Sequence, residues 1–227
     1  MTRRPALAAE VTLVFVLILT QLWFVGEVLS FFVLLPLGVI LVSWVVRKES
    51  FETLGLSQFA FKGFGRLWLF LAAGVVIVLI VGVYGNPGFF RSGSFPIGVV
   101  LRFISYLIPA LVQQILLNGY FVNRMHSVTN HRTRTTLLVG ILFGIVHLPN
   151  PVLVVLTLYG GMISAYFFVR SRNVYPLAVA HAALAAVAYC TLPQEWHHGF
   201  RVGMQFYLYV PVPGDPCTPQ FLRLPGL

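Results

Sequence analysis

Of the 227 residues, 58% are hydrophobic and only 9% are charged, and the mean hydropathy is +0.88. So little charge cannot cover the surface of a soluble domain of this length, which predicts a polytopic membrane protein. The formal net charge of +9 does not point to nucleic acid, because the basic residues fall in short groups between apolar runs and form no basic face with interleaved aromatics.

Apolar runs of spanning length fall at about 7–25, 28–46, 67–85, 97–122, 135–149, 151–169 and 174–193. The first follows Arg3 and Arg4 and imitates a secretory signal. It lacks a small-residue cleavage site, and another span follows at once, so it is read as retained. The connection 48–65, KESFETLGLSQFAFKGFG, carries Phe51, Leu54, Phe59 and Phe61, which predict a segment lying along the membrane interface. The fifth run is short and is interrupted by Pro149 and Pro151. It reads either as a full span joined to the sixth by a tight turn or as part of a re-entrant pair.

After Pro193 come WHHGF and VGMQFYLYVPVPGDPCTPQ. They predict an irregular or short-stranded cap, since 210–219 is too rich in proline for helix. Cys190 and Cys217 fall on the same side of the membrane. They can pair in an oxidising compartment or stay free, and the sequence leaves both open.

Lys and Arg set the orientation. Eleven (Arg3, Arg4, Arg47, Lys48, Lys62, Arg66, Arg124, Arg132, Arg134, Arg170 and Arg172) fall on one side of a seven-span arrangement. Three, Arg91, Arg201 and Arg223, fall on the other, with Arg102 near that end of the fourth span. The positive-inside rule then predicts a multi-pass protein of the cell membrane, N-terminus cytoplasmic and C-terminus extracytoplasmic. The chain divides into N-terminal helices and the interfacial loop (1–96), a core (97–192) and an extracytoplasmic tail (193–227).

Polar groups inside spans need partners, so those present need a reason. The stretch 111–125, LVQQILLNGYFVNRM, puts Gln113, Gln114 and Asn118 among leucines, with Gln114 and Asn118 on one helix face. His147 closes FGIVHLPN, four residues after Phe143, and His181 lies inside PLAVAHAALA. Taken alone, the amides read as helix–helix glue and each histidine as a satisfied structural group. Together on three helices they predict one polar pocket, suited to acid–base chemistry, metal binding or haem ligation. Small residues at Gly160, Gly161, Ser164 and Ala165, and at Ala178, Ala180, Ala182 and Ala183, predict close helix packing around it.

Over about 97–192 these residues resemble the CPBP intramembrane proteases, the group that contains the CAAX prenyl endopeptidase and bacteriocin-processing homologues. The family pattern is Glu-Glu-x-x-x-Arg, then Phe-x-x-x-His, then His-x-x-x-Asn/Asp. Here its order and spacing are met by Gln113-Gln114-x-x-x-Asn118, Phe143-x-x-x-His147 and His181-x-x-x-Ala185. The HLPN after the first histidine and the small-residue helix before the second are also similar. The resemblance implies an all-α membrane bundle with a four-helix catalytic core. It also implies glutamate-type proteolysis: a glutamate and a histidine activate water, while the other histidine and its Asn/Asp partner stabilise the oxyanion.

The departures are concentrated in the charged positions. Both motif glutamates are glutamine, the arginine is asparagine and the last position is alanine. No acidic residue lies between Thr53 and Gln194 to replace them. An amide cannot serve as the base that the chemistry needs, yet exchanging carboxylate and guanidinium together avoids stranding a buried charge.

The site expected from this reading is Gln113, Gln114, Asn118, His147 and His181, with no cofactor and no metal. The partners expected are the lipid bilayer and a peptide or membrane-protein substrate or partner, not nucleic acid. Hydrolysis with His147 as sole base and His181 assisting, a non-catalytic pseudoprotease that binds a peptide or partner, and a haem or metal protein ligated by the two histidines are the readings open at this point. A glutamate-to-glutamine exchange made to trap a complex explains Gln113 and Gln114 but neither Asn118 nor Ala185.

Overall fold

The structure is a computed structural model, and the residues described are 3–25, 34–87, 90, 95–211 and 217. Among the described residues, seven helices fall on the seven apolar runs. They are α1 (Arg3–Thr20, extended by a wide turn at Gln21–Val25), α2 (Leu34–Val46), α3 (Gly65–Gly85), α4 (Phe95–Gln114), α5 (Arg132–Ile145), α6 (Pro151–Ser171) and α7 (Tyr175–Thr191). Helix α4 continues without a break as a π-helical stretch, Ile115–Val122, and a last helical segment, Asn123–Thr129. The fourth element is therefore longer than its apolar run predicts. The chain is an all-α, multi-pass membrane bundle. Among the described residues, four helices are long and apolar enough to span a bilayer, and Leu35–Val46 and Tyr175–Thr191 are shorter apolar helices.

The helices alternate between two ends. At one, Glu10 of α1 meets Arg47 after α2 and Arg124 near the end of α4. The backbone of Gly55 in the 48–64 loop binds Val174 there, and Asn123 binds the Thr53 carbonyl. At the other, Gly85 abuts Pro193 and Trp196, and Gly203 donates to the Leu148 carbonyl. The lysines and arginines of the short loops thus gather at the first end, as the sequence predicts. Arg91 and Arg223 lie outside the described residues.

The tightest helix pair is α5 on α6. Small residues allow it: a Cβ on Gly140 would meet the Leu158 carbonyl at 2.8 Å, and Gly161 packs against Phe143 and Gly140. Helix α7, rich in alanine, packs between α3 and α4. Asn150 caps α6 by accepting the Leu153 N–H at 3.1 Å, and Pro151 occupies the first turn, where a missing N–H costs nothing. The fifth element is thus a helix that reverses through a tight turn into α6.

In the 48–64 loop Leu54 is buried against Gly119, while Phe51 and Phe59 are exposed. Two expectations need correction. Arg124 is not a loop charge. It is 3% exposed and paired with Glu10 at 3.2 Å and Glu49 at 2.6 Å, since a guanidinium taken from water needs such partners. The tail from Gln194 to Tyr207 forms short helical turns, Gln194–His197, His198–Phe200 and Met204–Tyr207, and no strand is found among the described residues. Its prolines begin only at Pro211, so nothing stops these turns; most of 210–219 lies outside the described residues. Cys190 and Cys217 form a disulfide.

Candidate functional site

Helices α3 to α7 enclose a cavity of about 340 Å³. Gln113 and Gln114 reach it from α4, Phe143 and His147 from α5 and the turn after it, Ser164 from α6, and His181 from α7. Ala185, where the resembling motif has Asn or Asp, lines it as well. The other walls are mostly apolar, and among the described residues no Lys, Arg, Asp or Glu lines the cavity. A second cavity of about 280 Å³ lies toward α1 and shares Gln113, Phe143, His147 and Val202 with the first.

The polar cluster is tightly bonded. Gln114 Oε1 accepts from Asn118 Nδ2 at 2.6 Å and from Ser164 Oγ at 2.5 Å. Asn118 Nδ2 also donates to Ser164 Oγ at 2.8 Å. With its oxygen so engaged, Gln114 turns Nε2 toward His181 Nδ1, 3.1 Å away. The Asn118 side-chain oxygen is buried with no hydrogen-bond partner among the described residues. Gln114 and Asn118 are 3% and 0% exposed, so the network is sealed from water on the α4 side. The π-helical stretch begins one residue after Gln114 and contains Asn118; such wide turns occur frequently at functional sites.

His147 is held differently. Its Nδ1 lies 2.7 Å from the Phe143 carbonyl, an acceptor, so Nδ1 carries the proton and Nε2 keeps its lone pair. The Phe143 ring stands edge-on to both imidazoles, with centroids 4.8 Å from His147 and 6.1 Å from His181. Thr157 Oγ1 donates to the Phe143 carbonyl at 3.3 Å and to the Leu153 carbonyl at 2.6 Å.

The two rings thus complement one another. His147 offers a bare Nε2, and His181, whose Nδ1 accepts from Gln114, has Nε2–H left to donate. Both residues line the cavity, and an acceptor and a donor nitrogen suit the N–H and C=O of a peptide group.

Of the five residues singled out in the sequence, four line the cavity and Asn118 lies behind them, bonded to Gln114. Gln114, Asn118 and His181 are bonded together; Gln113 and His147 line the cavity, and Gln113 makes no side-chain hydrogen bond among the described residues. Ser164 was legible only as a small packing residue, yet it is the hub between Gln114 and Asn118. Thr157 carried no sequence signal beyond a polar residue in an apolar run, and Asn150 entered only as the last residue of HLPN, with no role assigned to it.

Residues 94–187 match the family model described as Type II CAAX prenyl endopeptidase Rce1-like. The match contains the cavity helices α4 to α6 and most of α7, with all three motif stretches. No curated protein and no solved structure among those compared matches the chain.

Proposed function

From a segment that matches the type II CAAX prenyl endopeptidases and a cavity that keeps both histidines but no carboxylate, we propose that the chain is a CPBP-type intramembrane peptidase-like protein that binds a membrane-associated peptide and hydrolyses it slowly through His147. The observation that carries this reading is that His147, held with a bare Nε2, and His181, left with Nε2–H to donate, line the same cavity. In the step proposed, His147 Nε2 takes a proton from water as the oxygen attacks the scissile carbonyl. His181 Nε2–H donates to the oxyanion, and the proton on His147 then passes to the leaving amine. Asn118 and Ser164 hold Gln114, and Gln114 holds His181. The proposed membrane is the cell membrane, with the arginine-rich end cytoplasmic.

A second reading has the same pocket bind without cutting. The neutral amide network favours it, because Gln114 offers no base where the resembling pattern has glutamate. Cleavage of a peptide library in liposomes by the parent chain and by a variant carrying Gln113→Glu, Gln114→Glu and Asn118→Arg separates the two. Product from the parent supports hydrolysis through His147. Product from the reverted chain alone supports binding without cleavage, and product from neither counts against a peptidase site altogether.

A further inference from the structure

The cavity is closed at the tail end by a short strap. Gly199, Phe200 and Val202 line it there, and Val202 also borders the second cavity. The strap is tied to the turn that carries His147. Asn150, 0% exposed, donates from Nδ2 to the His197 carbonyl at 2.6 Å and to the Arg201 carbonyl at 3.0 Å. Gly203 N–H donates to the Leu148 carbonyl at 2.8 Å. Asn150 also caps α6 through Oδ1, so one side chain joins the catalytic turn, the helix and the strap.

The strap holds an unusual backbone. His198, Gly199 and Phe200 are successive left-handed residues, with φ of 45°, 61° and 62°. For His198 and Phe200 that conformation is disfavoured and persists only where the surroundings impose it. They do so here: the Phe200 ring is packed by His197 at 5.0 Å, Tyr189 at 5.2 Å and Tyr106 at 6.2 Å. Gly203, also left-handed at φ 55°, sits so close to the Leu22 carbonyl that no Cβ fits. This construction places one large apolar side chain, that of Phe200, on the cavity wall at the strap.

We infer that Phe200, presented by the strap that Asn150 latches, is a specificity-determining residue that sets how large a segment the cavity takes beyond His147. The identity of that segment as peptide rests on the function proposed above; the wall itself does not. A neutral, apolar segment suits the chamber, because no charged side chain among the described residues lines it.

Gly160 supplies the test. It lines the cavity, and a Cβ there has nothing within 4 Å. With Cys190 and Cys217 paired, Gly160→Cys provides the one free thiol. Its reaction is followed in the full chain in liposomes, without reductant, using methyl methanethiosulfonate and a bulky uncharged aromatic methanethiosulfonate.

Adding Phe200→Ala is expected to raise the bulky-to-small rate ratio about tenfold, which corresponds to a barrier lowered by about 1.4 kcal/mol. Phe200→Trp is expected to lower it. Asn150→Asp keeps the cap acceptor and loses both strap donors, so it should act in the direction of Phe200→Ala. Should the alanine variant fail to fold, Phe200→Leu and Phe200→Trp still bracket the wild type. An unchanged ratio across well-folded Phe200 variants overturns the inference. A ratio that responds in a chain that binds no peptide removes the proposed occupant and leaves the wall in place.

Discussion

Gln114 gives its amide nitrogen to His181 Nδ1 at 3.1 Å while its oxygen is taken by Asn118 and Ser164. That one bond sets which nitrogen of the imidazole remains a donor. It also explains why a glutamine can stand where the resembling pattern has a glutamate. The amide keeps the length and the acceptor oxygen of a carboxylate, and its second group becomes a donor that positions His181.

Ser164→Ala removes the hydroxyl that joins Gln114 to Asn118. Loss of such a bond within a membrane bundle is expected to cost about 0.6–2 kcal/mol. Unfolding in detergent should register this, and peptide affinity should fall with it because His181 loses its fixed orientation. Ser164→Thr, which keeps the hydroxyl, should recover most of both.

Arg124→Ala is expected to be far more damaging. Arg124 is 3% exposed and bridges Glu10, Glu49 and Ser43, so its removal takes the guanidinium from Glu49 and leaves Glu10 to Arg47, at a cost of about 3–5 kcal/mol. Glu49→Gln should cost less, since Arg124 keeps Glu10. Midpoints of denaturant titration for the two variants give the comparison, and equal midpoints would contradict the assignment.

Gly140→Ala tests the α5–α6 contact. The added methyl meets a backbone oxygen, the Leu158 carbonyl, at 2.8 Å, so neither helix can yield by a rotamer change. A loss of about 1–3 kcal/mol is expected. Gly160→Ala, on the open cavity wall, should be nearly neutral in the same titration.

Much of the architecture was legible in the sequence because hydrophobic length and basic grouping are coarse, repeated signals. The seven runs and the gathering of Arg and Lys at one end follow from such patterns, whereas Gln113, Gln114, Asn118, His147 and His181 stood out as polar groups inside apolar runs at motif spacing. The Glu10–Arg124–Glu49 cluster was not, because its members are separated by 114 and 75 residues and Arg124 reads locally as a loop charge. Ser164 was hidden for another reason: a hydroxyl in a small-residue helix looks the same whether it packs or bonds. The strap could not be foreseen either, since WHHGF gives no hint of three left-handed residues in succession.

The ring of His197, fully buried in the strap and pushed down to about 4 by burial, gives a pH signature. The unfolded ring takes up a proton below about 6.5, and the folded ring does not until about 4. The unfolded state therefore binds more protons within that window. Stability should be complete above about pH 6.5, fall as the pH drops toward 4, and level off below. His197→Phe, which keeps an aromatic ring against Tyr189 and Phe200, should flatten that part of the profile relative to the parent.

The most direct test of the central claim is product formation from a membrane-associated peptide in liposomes by the parent chain and by His147→Ala, with peptide binding measured alongside. Removal of a sole general base should lower the rate by about 10²–10⁴-fold while leaving binding within a few-fold of the parent. Undiminished product from the His147→Ala chain would contradict the account.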